Sequence, residues 1–297
     1  MPTPQSVANR RGIVAMSLAM ASFIANDALV KYVSESLPAA QLIFIRGLFA
    51  TVLLLAVAQA LGLLRSAFGH DPGALRHLMH RPVLARSVVD ALASLAYLAS
   101  LFHLPIGNAT AISMATPLFI TLFAVLAWRE RVGAARWLAI AGGFVGVLLI
   151  VQPVAAGFNA WALLCLLGTV LQTARDLITR AIPHSVPSVL ITVATAVTIT
   201  VLAGLLTAMQ GWQAVTPRQL ALLTAASVFL SVAYYLVIVG MRTGDMSVIA
   251  PFRYSGLLYA LLIGWVAWGD VPNTLAWAGI ALLVGAGLYV LRSERGR

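Results

Sequence analysis

The strongest constraint in this sequence is a series of ten apolar runs, each long enough to cross a lipid bilayer as a helix. A spanning helix needs about 20 mostly apolar residues, because each residue advances about 1.5 Å across about 30 Å of hydrocarbon. Short gaps containing Pro and Gly separate the runs. We therefore predict an all-α membrane protein with ten transmembrane helices at residues 12–33, 39–61, 83–103, 107–128, 135–153, 159–180, 187–209, 217–242, 246–268 and 274–292.

Composition agrees with lipid as the main solvent. Hydrophobic residues make up 61% of the 297 residues and charged residues only 9%, whereas soluble proteins carry about 25% charged residues. The net charge of +10 does not indicate a nucleic-acid partner, because the arginines are dispersed over short gaps. The single cysteine, Cys165, cannot form an intrachain disulfide, and no His/Cys set or nucleotide-binding motif predicts a metal or a cofactor.

Basic residues in alternate gaps predict the orientation. Fourteen arginines fall on one side of the predicted membrane, and only Lys31 and Arg218 fall on the other. Because positively charged loops stay in the cytoplasm, we expect both termini there. The first run follows Arg10-Arg11 without a cleavage pattern, so we interpret it as a retained helix.

The chain also repeats itself with an offset of 140 residues. This offset aligns matching aromatic and acidic residues, namely Trp128 with Trp268, Glu130 with Asp270, and Trp137 with Trp277. Each repeat, 12–153 and 159–292, then holds five spans. Because five is an odd number, the second repeat enters the membrane in the opposite orientation. The distribution of arginine supports this orientation, since gap 129–136 contains arginines and the matching gap 269–276 contains none. Inverted repeats are typical of transporters.

With this architecture, the chain resembles the drug/metabolite transporter superfamily, specifically its EamA branch with two tandem repeats. The resemblance covers about residues 12–292 and is carried by Arg46-Gly47, by Ala111 to Pro117 leading to Trp128-Arg129-Glu130, and by Pro251-Phe252-Arg253-Tyr254 leading to Trp268-Gly269-Asp270. It implies a secondary carrier of small metabolites, with a cavity between the halves lined partly by spans three, four, eight and nine.

Charged residues within spans are candidates for function, since burying them in lipid is costly. Arg46 and Arg253 are candidates for binding a substrate carboxylate or phosphate, with a structural ion pair or an interfacial side chain as the alternative.

Two acid–base combinations, Asp27 with Lys31 and Arg86 with Asp90, are four residues apart and share a helix face. Each combination is either a neutralising pair or part of a coupling site, and Asp90 is the better candidate for a proton-binding carboxylate.

Arg175-Asp176, near the end of span six, is either an interfacial anchor or a cytoplasmic gate. Further candidates for substrate contact are the polar and aromatic residues Tyr97, Asn108, Thr116, Tyr234 and Tyr254. Pro117 and Pro251 predict kinks within their spans. Gly142 and Gly146 form a GxxxG pattern that favours close helix packing, within one chain or in a dimer.

These observations favour a secondary active transporter that moves a small polar metabolite across the inner (plasma) membrane by alternating access. The expected substrate is an amino acid, another carboxylate-bearing or zwitterionic compound, or a flavin-like or nucleotide-like compound. A passive channel and an intramembrane enzyme acting on a lipid-linked group are the alternatives. The expected partners are the substrate and the bilayer. A single chain suffices for this architecture, and a homodimer remains open.

Overall fold

The computed structural model describes residues 4–60, 62, 80–128, 133–152, 159–180, 182, 186, 188–243 and 246–293. Within these ranges the chain is helical and contains no strand. The α-helices are α1 (Pro4–Ser34), α2 (Ala39–Ala60), α3 (Arg81–Leu101), α4 (Ile106–Ser113), α5 (Thr116–Trp128), α6 (Ala134–Val151), α7 (Ala160–Arg180), α8 (Ser188–Gln210), α9 (Pro217–Thr243), α10 (Met246–Ile249), α11 (Ser255–Trp268) and α12 (Thr274–Ser293). A 3-10 helix, Ala250–Tyr254, joins α10 to α11. Arg129 and Glu130 of the repeated motif lie outside the described residues.

The helices have the lengths that a membrane protein requires. Within the described ranges, seven stretches are long and apolar enough to cross a bilayer: Ser6–Ser34, Ala39–Ala56, Arg81–Leu101, Ile106–Phe123, Ala160–Thr179, Ile191–Gln210 and Pro217–Val237. Helices α6 and α12 contain shorter apolar stretches, and the ninth predicted span is divided between α10 and α11. The predicted all-α membrane fold is confirmed.

The fourth and ninth predicted spans are interrupted close to the prolines at which the sequence predicts kinks. In the first half the helix breaks between Ser113 and Thr116, and in the second half a 3-10 segment replaces the α-helix from Ala250 to Tyr254. Pro117 and Pro251 lie at these breaks because proline cannot donate the backbone hydrogen bond that continues a helix. The breaks occupy the same position in each repeat, since Met114 and Tyr254 are separated by the 140-residue offset of the sequence repeat.

The two breaks also lie against each other. A Cβ atom built on Gly256, at the start of α11, would lie 3.2 Å from Cε of Met114 and 3.5 Å from Cβ of Met20 on α1. Glycine at this position therefore lets the second broken helix approach the first one closely, beside α1.

The main helix contacts stay the same when each helix is replaced by its counterpart in the other half. Helix α1 packs on α9, and its counterpart α7 packs on α3. Helices α2 and α8 pack on each other, and so do α6 and α12. In both contacts, the two helices are counterparts of each other in the two halves. The packing therefore interleaves the two halves.

The α6–α12 contact depends on glycine. A Cβ atom on Gly146 would lie 2.7 Å from the carbonyl oxygen of Gly279, and one on Gly279 would lie 2.5 Å from the carbonyl oxygen of Gly146. Gly142, the other residue of the GxxxG pattern, has no described atom of another element within 4 Å of such a Cβ. Among the described residues, Gly146 but not Gly142 thus serves close packing inside the chain.

Candidate functional site

A buried polar network surrounds Asp27. Oδ2 of Asp27 accepts a hydrogen bond of 2.8 Å from the Tyr97 hydroxyl on α3, and Oδ1 accepts one of 2.8 Å from Nδ2 of Asn26. Arg46 on α2 donates from Nη1 to Oδ1 of Asn26 at 3.3 Å. Three helices of the first half therefore place an acid and a base on either side of one amide. We call these four residues the Asp27 network.

Arg46 is only 8% exposed, and its Nε has no hydrogen-bond partner among the residues that the structure describes. It forms no ion pair with a carboxylate in the described part of the chain, although Asp27 lies close enough to influence it electrostatically. The hydroxyl of Ser227 on α9 donates to the Arg46 carbonyl at 3.1 Å, so the second half of the chain holds this part of α2. A buried guanidinium with unused donor capacity is suited to an acidic ligand group.

A second group of charges lies about two turns further along α3. Asp90 accepts a 2.9 Å bond from Nη1 of Arg175 on α7 and lies 3.7 Å from Arg86 on its own helix. Arg175 also pairs with Asp176 at 2.9 Å. Arg86 donates to the hydroxyl of Thr195 on α8 at 2.6 Å. We call Arg86, Asp90, Arg175 and Asp176 the Asp90 cluster.

The Asp90 cluster confirms one prediction and extends another. Arg86 and Asp90 form the ion pair that their four-residue spacing predicts. Arg175 was placed with Asp176 from the sequence alone, and it also crosses to Asp90 in the other half. The cluster thereby joins the two halves through buried and half-buried charges.

Tyr234 on α9 lies near charged residues of both groups. Its side chain is 54% exposed, yet it lies within the electrostatic influence of Arg46, Asp90 and Arg175. Phe23 of α1 contacts its ring edge-to-face, with the ring centroids 5.2 Å apart. Because charged groups avoid lipid, an accessible aromatic ring near charges from both halves is expected to face a polar interior. Among the predicted substrate residues, the structure therefore brings Arg46, Tyr97 and Tyr234 into one region.

The other predicted substrate residues lie elsewhere. Asn108 lines a cavity of about 160 Å³ with Gln152, Asn159 and Asn273, and its Oδ1 has no partner. The hydroxyl of Thr116 donates to the Ser113 carbonyl at the break in the fourth span.

Arg253 is exposed on the 3-10 segment, while Tyr254 beside it is buried with an unpartnered hydroxyl. Among the candidate residues within the spans, the arginines outnumber the aspartates only if Arg253 is counted, and the structure shows that Arg253 is exposed. The two polar groups themselves balance three arginines with three aspartates, so the free donor capacity of Arg46, not an excess of positive charge, indicates an acidic ligand.

The ion pair between Lys31 and Asp27, one of the two alternatives predicted for these residues, is absent from the contacts of the described residues. The Lys31 ammonium donates to the carbonyl oxygens of Leu101 and Leu104, where α3 ends. It also lies 5.6 Å from the ring centroid of Trp268, whose indole donates to Glu35 at 2.8 Å. Lys31 therefore ties α1 to the end of α3 because the last carbonyls of a helix have no intrahelical partner.

Asn26 is the site residue that sequence reasoning undervalued. It is 1% exposed and stands between Asp27 and Arg46 through two hydrogen bonds. The available signal was an amide beside an acid within a long apolar helix, where buried polar groups require partners.

The sequence matches one known family along most of its length. The sequence model of the EamA-like transporter family matches residues 10–152 and 159–292. The chain belongs to the EamA-like transporter family. The matched ranges place one copy of the family's unit on each side of the gap between α6 and α7.

Three curated relatives of this EamA-like chain are named as transporters or as an exporter. The riboflavin transporter of Rhizobium johnstonii is 36% identical over 72% of this chain and 71% of its own length. The pseudopaline exporter CntI of Pseudomonas aeruginosa is 26% identical over 97% of this chain and 98% of its own. The S-adenosylmethionine uptake transporter of Rickettsia felis is 24% identical over 96% and 93%, respectively. This protein is accordingly a membrane transporter of small metabolites and not an enzyme.

A solved crystal structure shares the fold of this EamA-like chain. The two superpose with a TM-score of 0.62 at 19% identity, over 99% of each chain. The helix arrangement therefore has an experimental counterpart along its whole length.

Proposed function

We propose that this protein is a secondary active transporter that moves a small polar metabolite by alternating access, with the substrate held between the Asp27 network and the Asp90 cluster. One observation carries the proposal: Tyr234 of the second half is accessible, yet it faces charges on α2, α3 and α7. Tyr97 and Asp90 lie seven residues apart on α3, or about 10 Å along the helix. That separation is the size of a metabolite.

Arg46, Tyr97 and Tyr234 are the main substrate-binding residues in this proposal. The free Nε of Arg46 binds an acidic group, and the ring of Tyr234 packs against a flat or apolar part of the substrate. Asn108, Thr116 and Tyr254 contribute further contacts at the cavity and at the helix breaks. Arg253, which is exposed, acts on the approach to the site.

The Asp90 cluster serves as a gate. Asp90 and Arg175 belong to opposite halves, and their 2.9 Å contact must break if the halves separate at that end. Arg86 and Asp176 hold the two partners in position from their own helices. Because inverted halves that rock about a central site give alternating access, a salt bridge between them is suited to closing one side.

The proposed substrate is a small compound with a carboxylate or a comparable acidic group, such as an amino acid, another zwitterion or a nucleotide-like compound. Two of the relatives are named as transporters of riboflavin and of S-adenosylmethionine, which supports an aromatic heterocycle as a second part of the substrate. An arginine that binds the acidic group and an accessible aromatic ring that packs on the heterocycle together fit such a substrate.

We place the protein in the inner (plasma) membrane with both termini in the cytoplasm. The support is the charge asymmetry of the gaps, fourteen arginines against two basic residues. One chain contains both inverted halves, so we propose that a monomer transports.

Counter-flow in liposomes tests the proposed function. Purified protein is reconstituted and preloaded with unlabelled amino acids, flavins, nucleobases or adenosyl compounds, and entry of the labelled compound is followed. We expect saturable entry with trans-stimulation for one class. Entry that neither saturates nor responds to preloading indicates a channel and overturns alternating access.

A further inference from the structure

We propose that Asp27 is the proton-binding site of the transporter, and that a proton on Asp27 and an acidic group of the substrate on Arg46 bind together. This inference rests on the proposed function. It names the coupling residue and predicts co-transport of substrate and proton in the same direction.

The partners of the two buried carboxylates differ in kind. Asp90 contacts Arg86 and Arg175. A guanidinium only donates hydrogen bonds and stays charged, so a proton on Asp90 would remove acceptor capacity and leave positive charge unbalanced. Asp27 instead accepts from two neutral donors, the Tyr97 hydroxyl and the Asn26 amide.

The Asp27 network can satisfy both protonation states. A tyrosine hydroxyl both donates and accepts hydrogen bonds. When Asp27 is a carboxylate, Tyr97 donates to Oδ2, and when Oδ2 carries a proton, the same hydroxyl rotates and accepts from it. The 2.8 Å separation suits either direction. The Asn26 amide continues to donate to Oδ1 in both states.

Arg46 links this proton to the substrate. Asn26 holds Arg46 away from direct contact with Asp27, so the two charges interact without forming an ion pair. With Asp27 ionised, its charge offsets Arg46. With Asp27 protonated, Arg46 is a buried, uncompensated cation that attracts an anion. The coupling is reciprocal, because an anion bound to Arg46 favours the protonated form of Asp27 by the same factor.

The groups that face Asp27 come from four helices. They are Asn26 on its own helix, Arg46 on α2, Tyr97 on α3 and, through Arg46, Tyr234 on α9. Arg46 is the cation among them. The proton reaches an Asp27 carboxylate oxygen from water on one side and returns to water on the other, so no further reactant is required.

Infrared titration of the full-length protein in lipid tests the site without any substrate. The carboxylic-acid carbonyl band is followed against pH for the wild type and for Asp27→Asn, Asp90→Asn and Arg46→Gln. We expect a band that Asp27→Asn removes and Asp90→Asn retains. In Arg46→Gln the band should persist to higher pH, because the compensating cation is gone. A band that Asp27→Asn leaves intact, or that Arg46→Gln does not move, overturns the inference.

Transport of S-adenosylmethionine and of its decarboxylated analogue provides the second test. With Asp27→Asn, we expect exchange of S-adenosylmethionine to continue while its stimulation by an inward proton gradient is lost. The analogue without the carboxylate should show no proton stimulation in the wild type. Full stimulation in Asp27→Asn overturns the inference but leaves the carrier intact. A titrating Asp27 band in a protein that exchanges none of the screened compounds overturns the proposed function instead.

Discussion

Arg175 on α7 donates a 2.9 Å hydrogen bond to Asp90 on α3, although the two residues are 85 positions apart and belong to opposite halves of the chain. Helices α3 and α7 pack along each other, as α1 and α9 do. A charged contact therefore lies across the interface between the two halves, which the proposed alternating access would rearrange.

Replacing Arg175 by Gln should destabilise the protein by about 1–3 kcal/mol, since it leaves Asp90 with one cation in a mostly buried position. Thermal unfolding in detergent measures the loss. The double variant Asp90→Asn with Arg175→Gln should recover part of it, because no unpaired charge remains. Asp176→Asn is the matched control, since its side chain is 39% exposed and the expected effect is smaller. Equal losses for all three variants would argue against a specific Asp90–Arg175 contact.

Arg46→Lys should weaken the binding of a transported carboxylate compound about tenfold or more. Lysine keeps the charge but loses the planar fork that grips an acidic group and reaches Asn26. The concentration dependence of counter-flow gives the measurement. Arg253→Lys, on the exposed 3-10 segment, is the matched control and should change the affinity much less. A larger loss of affinity in Arg253→Lys would instead indicate that the ninth span binds the acidic group of the substrate.

Lys31→Met should lower the free energy of unfolding by about 1–3 kcal/mol, because the carbonyls of Leu101 and Leu104 lose their donor at the end of α3. Arg218→Met serves as the control, since Arg218 forms an exposed contact with the Tyr32 hydroxyl and should cost little. Denaturation followed by tryptophan fluorescence can report both. If the two variants unfold alike, the buried Lys31 contact contributes nothing special.

Gly146→Ala should destabilise the α6–α12 contact, because the new methyl group would meet the Gly279 carbonyl. We expect a loss of about 1–3 kcal/mol, read from the thermal midpoint. Gly142→Ala, on the same helix with open space around it, should be neutral or slightly stabilising. Destabilisation by Gly142→Ala instead would indicate that this face packs against another molecule or against a part of the chain outside the described residues.

The sequence predicts contacts within one helix better than contacts between helices. The four-residue spacing of Arg86 and Asp90 predicts an ion pair that the structure contains. The same spacing fails for Asp27 and Lys31, because Lys31 reaches the end of α3 instead. Periodicity specifies which residues share a helix face, but not which neighbouring helix that face meets. For the same reason, no local pattern predicts the contact between Asp90 and Arg175.

The helix breaks show the same limit. Pro117 and Pro251 predict interruptions in spans four and nine, and the structure contains both. Their different forms, a two-residue gap in one half and a five-residue 3-10 segment in the other, follow from packing that the two prolines do not encode. Of the predicted substrate residues, Arg46, Tyr97 and Tyr234 meet because three separate helices converge.

The different forms of the two matched breaks have a consequence for the conformational cycle. Because the two halves have the same pattern of helices, each half can adopt the local backbone geometry that the other half shows. In the proposed alternating-access cycle, such an exchange converts the molecule into the opposite-facing state, which is related to the first by the pseudo-two-fold axis between the repeats. We therefore expect the opposite-facing state to carry the 3-10 turn near Met114 and a short gap near Tyr254, which makes one structure a template for both.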